Sequence, residues 1–308
     1  MTFVGKPASV PGAAAATPPV PNPGTPLPVP GLKRMRVNDV DLGYVEQGHG
    51  TPVLFVHGAS SDHRLWHAQR EVFSRAYRFI ALDQRYHGSG RWTDDGQHYS
   101  AQTQVEDLAG FIRGLDSGPA YVVGWSLSGR MALSLAARHP ALLRGVFAYE
   151  PAPPVATISD DAERTRLQQD LLEMIGPALA AVRSGDHATA IRLFMDGVNA
   201  QPGSFEALPV SGQQMLLENA RTLALQFSAA PLQPIDAALL AAMPVPVTIV
   251  RGEMTRPCYR ITAEAACRHI VHARSRVVAG ARHLWPVLSA SAFNESVLEF
   301  LRNEEIPA

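Results

Sequence analysis

Four short apolar runs constrain this chain most: Pro52–His57 (PVLFVH), Tyr77–Asp83 (YRFIALD), Ala120–Trp125 (AYVVGW) and Gly145–Glu150 (GVFAYE). Runs without polar alternation belong to strands buried on both faces, as in a parallel sheet covered by helices on each side. Helix-like segments Gln104–Leu115 and Leu127–Arg138 separate them, and strand alternating with helix is the pattern of an α/β fold. Upstream, KRMRV and DLGYVEQ predict two short strands paired as a hairpin around Asn38 and Asp39. Downstream, strand patterns return in Val245–Arg251 and Ser275–Val278, and an amphipathic helix over Ala290–Leu301 closes the chain.

Between residues 151 and 243 the alternation stops. Asp161–Ile175, Ala188–Val198 and Ser211–Phe227 carry helical periodicity with no strand among them. The expected organisation is therefore an α/β core over 32–150 and 244–308, interrupted by a helical cap over 151–243. Phe194, Met195, Met215, Leu216 and Phe227 sit at helical spacing and are read as the inner face of that block. Residues 1–31 hold nine prolines, which lack an amide donor and fix φ, so they predict an extended tail with no catalytic part.

Composition narrows the function classes. With 27 basic and 28 acidic residues the net charge is −1, so no global field attracts nucleic acid, and the partners expected are small molecules. The two cysteines, Cys258 and Cys267, form no disulfide framework and are read as buried free thiols. No run of about 18 apolar residues spans a bilayer. The first residues lack the basic start and apolar stretch of a secretory signal. A cytoplasmic place is the default reading, with an exported form where a signal has been removed. Oligomeric state is not legible.

The most specific motif is Gly124-Trp125-Ser126-Leu127-Ser128-Gly129, between a buried strand and a helix. A serine there sits on a sharp turn at the carboxyl edge of the sheet, and small residues two before and two after it relieve the crowding. Gly124 and Ser128 fill those places, although the second is more often glycine. The amide of Leu127, at the helix start, and that of Ala59, after His57-Gly58, are the expected oxyanion donors. His57 itself reads as a structural hydrogen-bonding residue. Among 11 histidines His283 stands out, because Gly280-Ala281-Arg282-His283 lies after the last strand and before the last helix.

Taken in order, HG at 57–58, DQRYHGSG at 83–90, GWSLSG at 124–129, a helical insertion and GARH at 280–283 resemble the α/β-hydrolase superfamily. The likeness is to its cap-bearing esterases, lactonases, C–C hydrolases, dehalogenases and cofactor-free haloperoxidases. It covers roughly residues 33–303 and implies a nucleophile–acid–histidine triad in that order, with Ser126 as nucleophile and His283 as general base. A serine nucleophile argues against haloalkane dehalogenase and epoxide hydrolase chemistry, which use an aspartate there.

The resemblance also implies an aspartate on the loop after Val245–Arg251, and there the chain departs: the position holds Thr255 in Gly252-Glu253-Met254-Thr255-Arg256-Pro257. Three readings stay open. The acid expected is Glu150, 24 residues after Ser126 at the end of the preceding core strand, an arrangement that resembles some dehalogenases and zearalenone-type lactonases. Glu253 lies close to the usual loop position, with loop stabilisation as its ordinary explanation. In the third reading the triad has decayed and the fold binds ligand without turnover.

No cofactor is expected. Asp62, His63 and His67 contain an i,i+4 histidine pair but no third ligand, so no metal site is expected. Asp83 is read as organising the turn from Arg85 to Gly90. Trp125 and Trp285, beside the two key residues, are read either as pocket or as core packing. The function expected is hydrolysis of an ester or lactone through an acyl-enzyme on Ser126. C–C bond hydrolysis and perhydrolysis share the triad; a non-catalytic receptor is the alternative of another class.

Overall fold

The computed structural model describes residues 31–88, 92, 94–152, 158–229, 235 and 237–305. The proline-rich tail therefore lies outside the described residues except for Gly31, as do Ser89 and Gly90 of the second motif.

Among the described residues one sheet has eight strands: β1 (Lys33–Val37), β2 (Val40–Gln47), β3 (Pro52–Val56), β4 (Arg78–Leu82), β5 (Ala120–Trp125), β6 (Leu143–Tyr149), β7 (Val247–Gly252) and β8 (Arg274–Val278). Their spatial order is β1-β2-β4-β3-β5-β6-β7-β8. β1 and β2 form the expected antiparallel hairpin, with Val37 opposite Val40 and Asn38 at φ 50° in the turn. β2 meets β4 antiparallel, and every pairing from β4 to β8 is parallel.

The helices are α1 (His67–Ser74), α2 (Ala101–Gly114), α3 (Leu127–Arg138), α4 (Asp161–Arg183), α5 (His187–Asn199), α6 (Val210–Asn219), α7 (Thr222–Ser228), α8 (Ala237–Ala241), α9 (Pro257–His269), α10 (Trp285–Leu288) and α11 (Ala290–Glu305). Helices α4 to α8 all fall between β6 and β7. Three details differ from the sequence reading. The stretch Ser211–Phe227 breaks into α6 and α7, with Asn219 and Thr222 buried at the break. Its polar side chains are used there: Thr222 donates to Asn219 O, and the Asn219 amide donates to Asp62 Oδ2. Helix α4 runs on to Arg183 through Pro177. Helix α1 and the 3₁₀ turn before it, His63–Trp66, were not foreseen, because so short an amphipathic segment has little periodicity to read.

The sheet divides the apolar interior in two. One side packs Val53, Phe55, Phe79, Val123 and Phe147 against α1, α11 and the inserted helices; the other packs Leu54, Val56, Ile80 and Val122 against α2 and α3. All four of Val53, Leu54, Phe55 and Val56 have no exposed surface, which is why the run shows no alternation. Phe55 is a hub, its ring 4.9 Å from Phe73, 5.0 Å from Phe79 and 5.3 Å from Trp66. No helix among the described residues is long and apolar enough to cross a membrane.

Phe55→Ala removes a buried ring from that hub and leaves a cavity that neighbouring rings cannot fill. It should lower unfolding free energy by about 3–5 kcal/mol. Urea unfolding measures this, with the midpoint falling and the slope unchanged.

Candidate active site

The turn from β5 into α3 carries Ser126 at φ 61° and ψ −120°, a conformation that L residues avoid. It is held there from several directions. The Ser126 amide donates to Tyr149 O at 2.9 Å, and the Ala152 amide donates to Ser126 O at 3.0 Å. Gly124 is required: a Cβ there would stand 2.7 Å from Ser128 O and 2.8 Å from the Gly129 Cα. Ser128, in the place where glycine is more usual, uses its hydroxyl. It accepts from Trp125 N at 2.9 Å and donates to Val56 O at 2.6 Å, tying the turn to β3.

His283 lies between β8 and α10, with 3% of its surface exposed. Its Nδ1 is 2.6 Å from Glu150 Oε2, while Glu150 Oε1 accepts the Gly252 amide at 2.8 Å. Glu150 has no exposed surface and sits just past β6 at φ 42°, its own amide donating to Val250 O. Burying a carboxylate without such partners would be costly. Glu253, by contrast, is exposed on the loop after β7, where its carboxylate accepts the Gly280 amide at 2.9 Å. The structure thus brings Glu150 and His283 together and leaves Glu253 apart from the ring. Thr255 is buried enough that its hydroxyl has no solvent, and no partner for it is found among the described residues.

Ser126 and His283 line one cavity, together with Gly58, Ala59 and Trp125. Leu127 is the first residue of α3, where a helix amide has no partner one turn back. Trp285 does not line this cavity. It packs in the core with ring centroids 5.2 Å from Tyr149 and 5.4 Å from Phe293, correcting the pocket reading for this residue. Its indole turns inward because α10 lies directly on α11, which supplies Phe293. Of the inserted helices, Phe194, Met195, Met215 and Leu216 face the cavity, and Phe227 packs on Phe194 at 5.9 Å.

Sequence reasoning missed Tyr259. It comes from the first turn of α9 and stacks on His283 with centroids 4.2 Å apart and planes 10° apart. Burial raises its hydroxyl pKa well above the ordinary tyrosine range. Its place shortly after Thr255 gives no periodic or motif signal. Only the fold carries that turn of helix over the imidazole.

His57 is fully buried and spends both ring nitrogens on the backbone. Nδ1 pairs with Gly58 O at 2.8 Å, and Nε2 accepts the Gln84 amide at 3.1 Å. These bonds shape the turn that presents Ala59. Asp83 was expected to organise the turn from Arg85 to Gly90. Its Oδ1 accepts the amide of His63 at 2.8 Å and pairs with that ring's Nδ1 at 2.7 Å, while the carboxylate also lies against Gly88 of that turn. Gly88 is forced by the same carboxylate, since a Cβ there would fall 2.3 Å from Asp83 Oδ2.

Asp62, His63 and Asp83 have ligand atoms within 4.8 Å of one another. The groups are already engaged: Asp62 pairs with Arg64 at 2.6 Å and accepts from Asn219 at 2.8 Å, and His63 pairs with Asp83. His67 is exposed and does not join them. Cys258 is buried and Cys267 half-buried, both free.

The family model described as the alpha/beta hydrolase family matches residues 53–296, and the chain belongs to that family. It is 31% identical over 230 residues to the 2-(acetamidomethylene)succinate hydrolase of Mesorhizobium japonicum, covering 73% of this chain and 78% of that protein. A thermophilic esterase from Thermogutta terrifontis superposes with a TM-score of 0.62 at 22% identity, over 89% of this chain and 99% of that one. Est816, described as an N-acyl homoserine lactone degrading enzyme, gives 0.61 at 20% identity over 87% and 100%. These two structures are similar in fold.

Burial pushes the His57 imidazole down to about 3 and that of His87, 4.8 Å away, down to about 4. Both rings stay neutral in the folded protein while the unfolded chain takes up protons below about pH 6.5. Their contribution to stability is therefore present above that pH and lost as pH falls toward 4. His87→Gln should lose less melting temperature between pH 6.5 and 4.5 than the parent, as followed by thermal unfolding. An unchanged slope would refute the assignment.

Proposed function

We propose that this protein is a serine hydrolase cleaving a carboxylic ester or lactone of a small to medium molecule. The observation that carries this reading is the Glu150–His283 contact at 2.6 Å, buried beside a serine on a strained turn in one shared cavity. With Nδ1 engaged by Glu150, Nε2 of His283 is the nitrogen left to take a proton.

His283 removes the proton of Ser126, whose Oγ attacks the carbonyl carbon. The amides of Ala59 and Leu127 stabilise the oxyanion, each donor contributing about 3–4 kcal/mol at the transition state. Glu150 holds the tautomer of His283 and balances the imidazolium that forms. His283 then protonates the leaving alcohol, and later activates the water that releases the acyl group. The helices between β6 and β7 act as a cap that screens these steps from bulk water. Glu253 serves to fix its loop through Gly280.

A second reading, hydrolysis of a bond other than an ester, draws on the name of the Mesorhizobium relative, whose stated substrate is neither an ester nor a lactone. The same residues would carry it.

The test is turnover of short-chain p-nitrophenyl esters. Ser126→Ala should lower kcat by more than about 10³-fold. Glu150→Gln should lower it by about 10²–10⁴-fold with the fold retained, and Glu253→Gln should stay within about twofold of the parent. If Glu253→Gln is the damaging change and Glu150→Gln the mild one, the acid is Glu253.

A further inference from the structure

The wall of the cavity bears on which substrates the proposed hydrolase admits. Resting on that serine-hydrolase reading, we propose that the site is selective for neutral esters and lactones with an apolar acyl part, and that a carboxylate on the acyl chain excludes a substrate. Facing Ser126 and His283, the wall is built from Phe194, Met195 and Val198 of α5 with Leu208, Met215 and Leu216 around α6. Among the described residues lining the cavity there is no Lys, Arg, Asp or Glu. The one further hydroxyl, Ser61, donates to Ala59 O at 3.1 Å.

Two nearby arginines, Arg64 and Arg256, are already neutralised, and Arg282, which is not among the lining residues, directs its guanidinium to the carbonyls of Asn199 and Met254. Arg64, in the adjoining cleft, pairs with Asp62 at 2.6 Å and Glu218 at 2.7 Å. Arg256 pairs with Asp170 at 2.8 Å and Glu173 at 3.5 Å. A carboxylate entering this space would shed its water against methionine, leucine and phenylalanine with no counter-ion. The buried Glu150 carboxylate behind His283 adds a like charge on the far side of the ring. A methylene chain gains from the same wall, since it leaves water for apolar surface.

The experiment compares methyl pentanoate with monomethyl succinate, in which a carboxylate replaces the chain end while the scissile ester is kept. Wild-type kcat/KM should favour the neutral ester by at least about 100-fold. Binding of both esters to the folded Ser126→Ala protein, read by saturation-transfer NMR, should show the same preference without chemistry. Preference for the neutral ester in that binding assay supports the proposal even where turnover does not depend on Ser126. Equal binding, a preference for monomethyl succinate, or binding of neither ester overturns it, even where turnover does depend on Ser126.

A separate observation, the ring stacked on His283, carries a second inference: Tyr259 is a positioning residue for that histidine. Glu150 fixes one ring nitrogen but leaves the ring free to rock about the bond. The Tyr259 face, 4.2 Å away and nearly parallel, and Trp125 at 5.3 Å restrain that motion. The loop after β7, lacking a carboxylate at Thr255, thus leads into a helix that supplies an aromatic face. Tyr259→Leu should lower kcat about tenfold with KM within about twofold, whereas Tyr259→Phe, which keeps the face, should restore most of the rate. A Phe variant as slow as the Leu variant, or a loss confined to KM, overturns the assignment.

Discussion

Glu150 has no surface in contact with water, and a carboxylate in that position must find partners in the protein. It finds two. One oxygen takes the amide of Gly252 at the end of β7, and the other takes Nδ1 of His283 on the loop after β8. The contact therefore ties together the ends of β6, β7 and the loop beyond β8, three segments far apart in the chain. Removing the carboxylate would leave an amide and an imidazole facing a hole, so the arrangement of this sheet edge depends on it.

The same edge stores backbone strain. Ser126 and Glu150, at the ends of neighbouring parallel strands, both have positive φ. Neither conformation would persist in a free chain; packing of β5, β6 and α3 imposes them. The crowding that excludes a side chain at Gly124 also aims the Ser126 hydroxyl at the cavity shared with His283. Strain and aim have one origin, the tight passage from strand to helix.

In the proposed mechanism, chemistry and selectivity come from different parts of the fold. The sheet edge brings the polar groups: the serine, the histidine, the glutamate and the amides at 59 and 127. The helices between β6 and β7 bring methionine, leucine and phenylalanine side chains to the opposite wall. An apolar wall of this kind strengthens electrostatic interactions inside the cavity by keeping water out of it. Behind the site, Trp285 and Phe293 fill the core and Tyr259 covers the imidazole ring.

The strand positions, the turn at Ser126 and the loop bearing His283 were legible in the chain, because runs such as VLFV and AYVVGW show burial on both faces directly. The partner of His283 was legible only as a choice, Glu150 first with Glu253 as its alternative. Glu150 and Glu253 lie at the ends of adjacent strands, and sequence separation from His283 does not tell them apart. The parallel register of β6 and β7, with Tyr149 opposite Val250, sets Glu150 beside the Gly252 amide and turns its carboxylate to the ring. Glu253, one residue beyond β7, faces solvent and Gly280. Tyr259 and the inward turn of Trp285 were hidden, since each depends on which neighbour a helix packs against. Local pattern determined the elements and the turn at Ser126; only register and packing, which act between distant segments, decided which side chains meet.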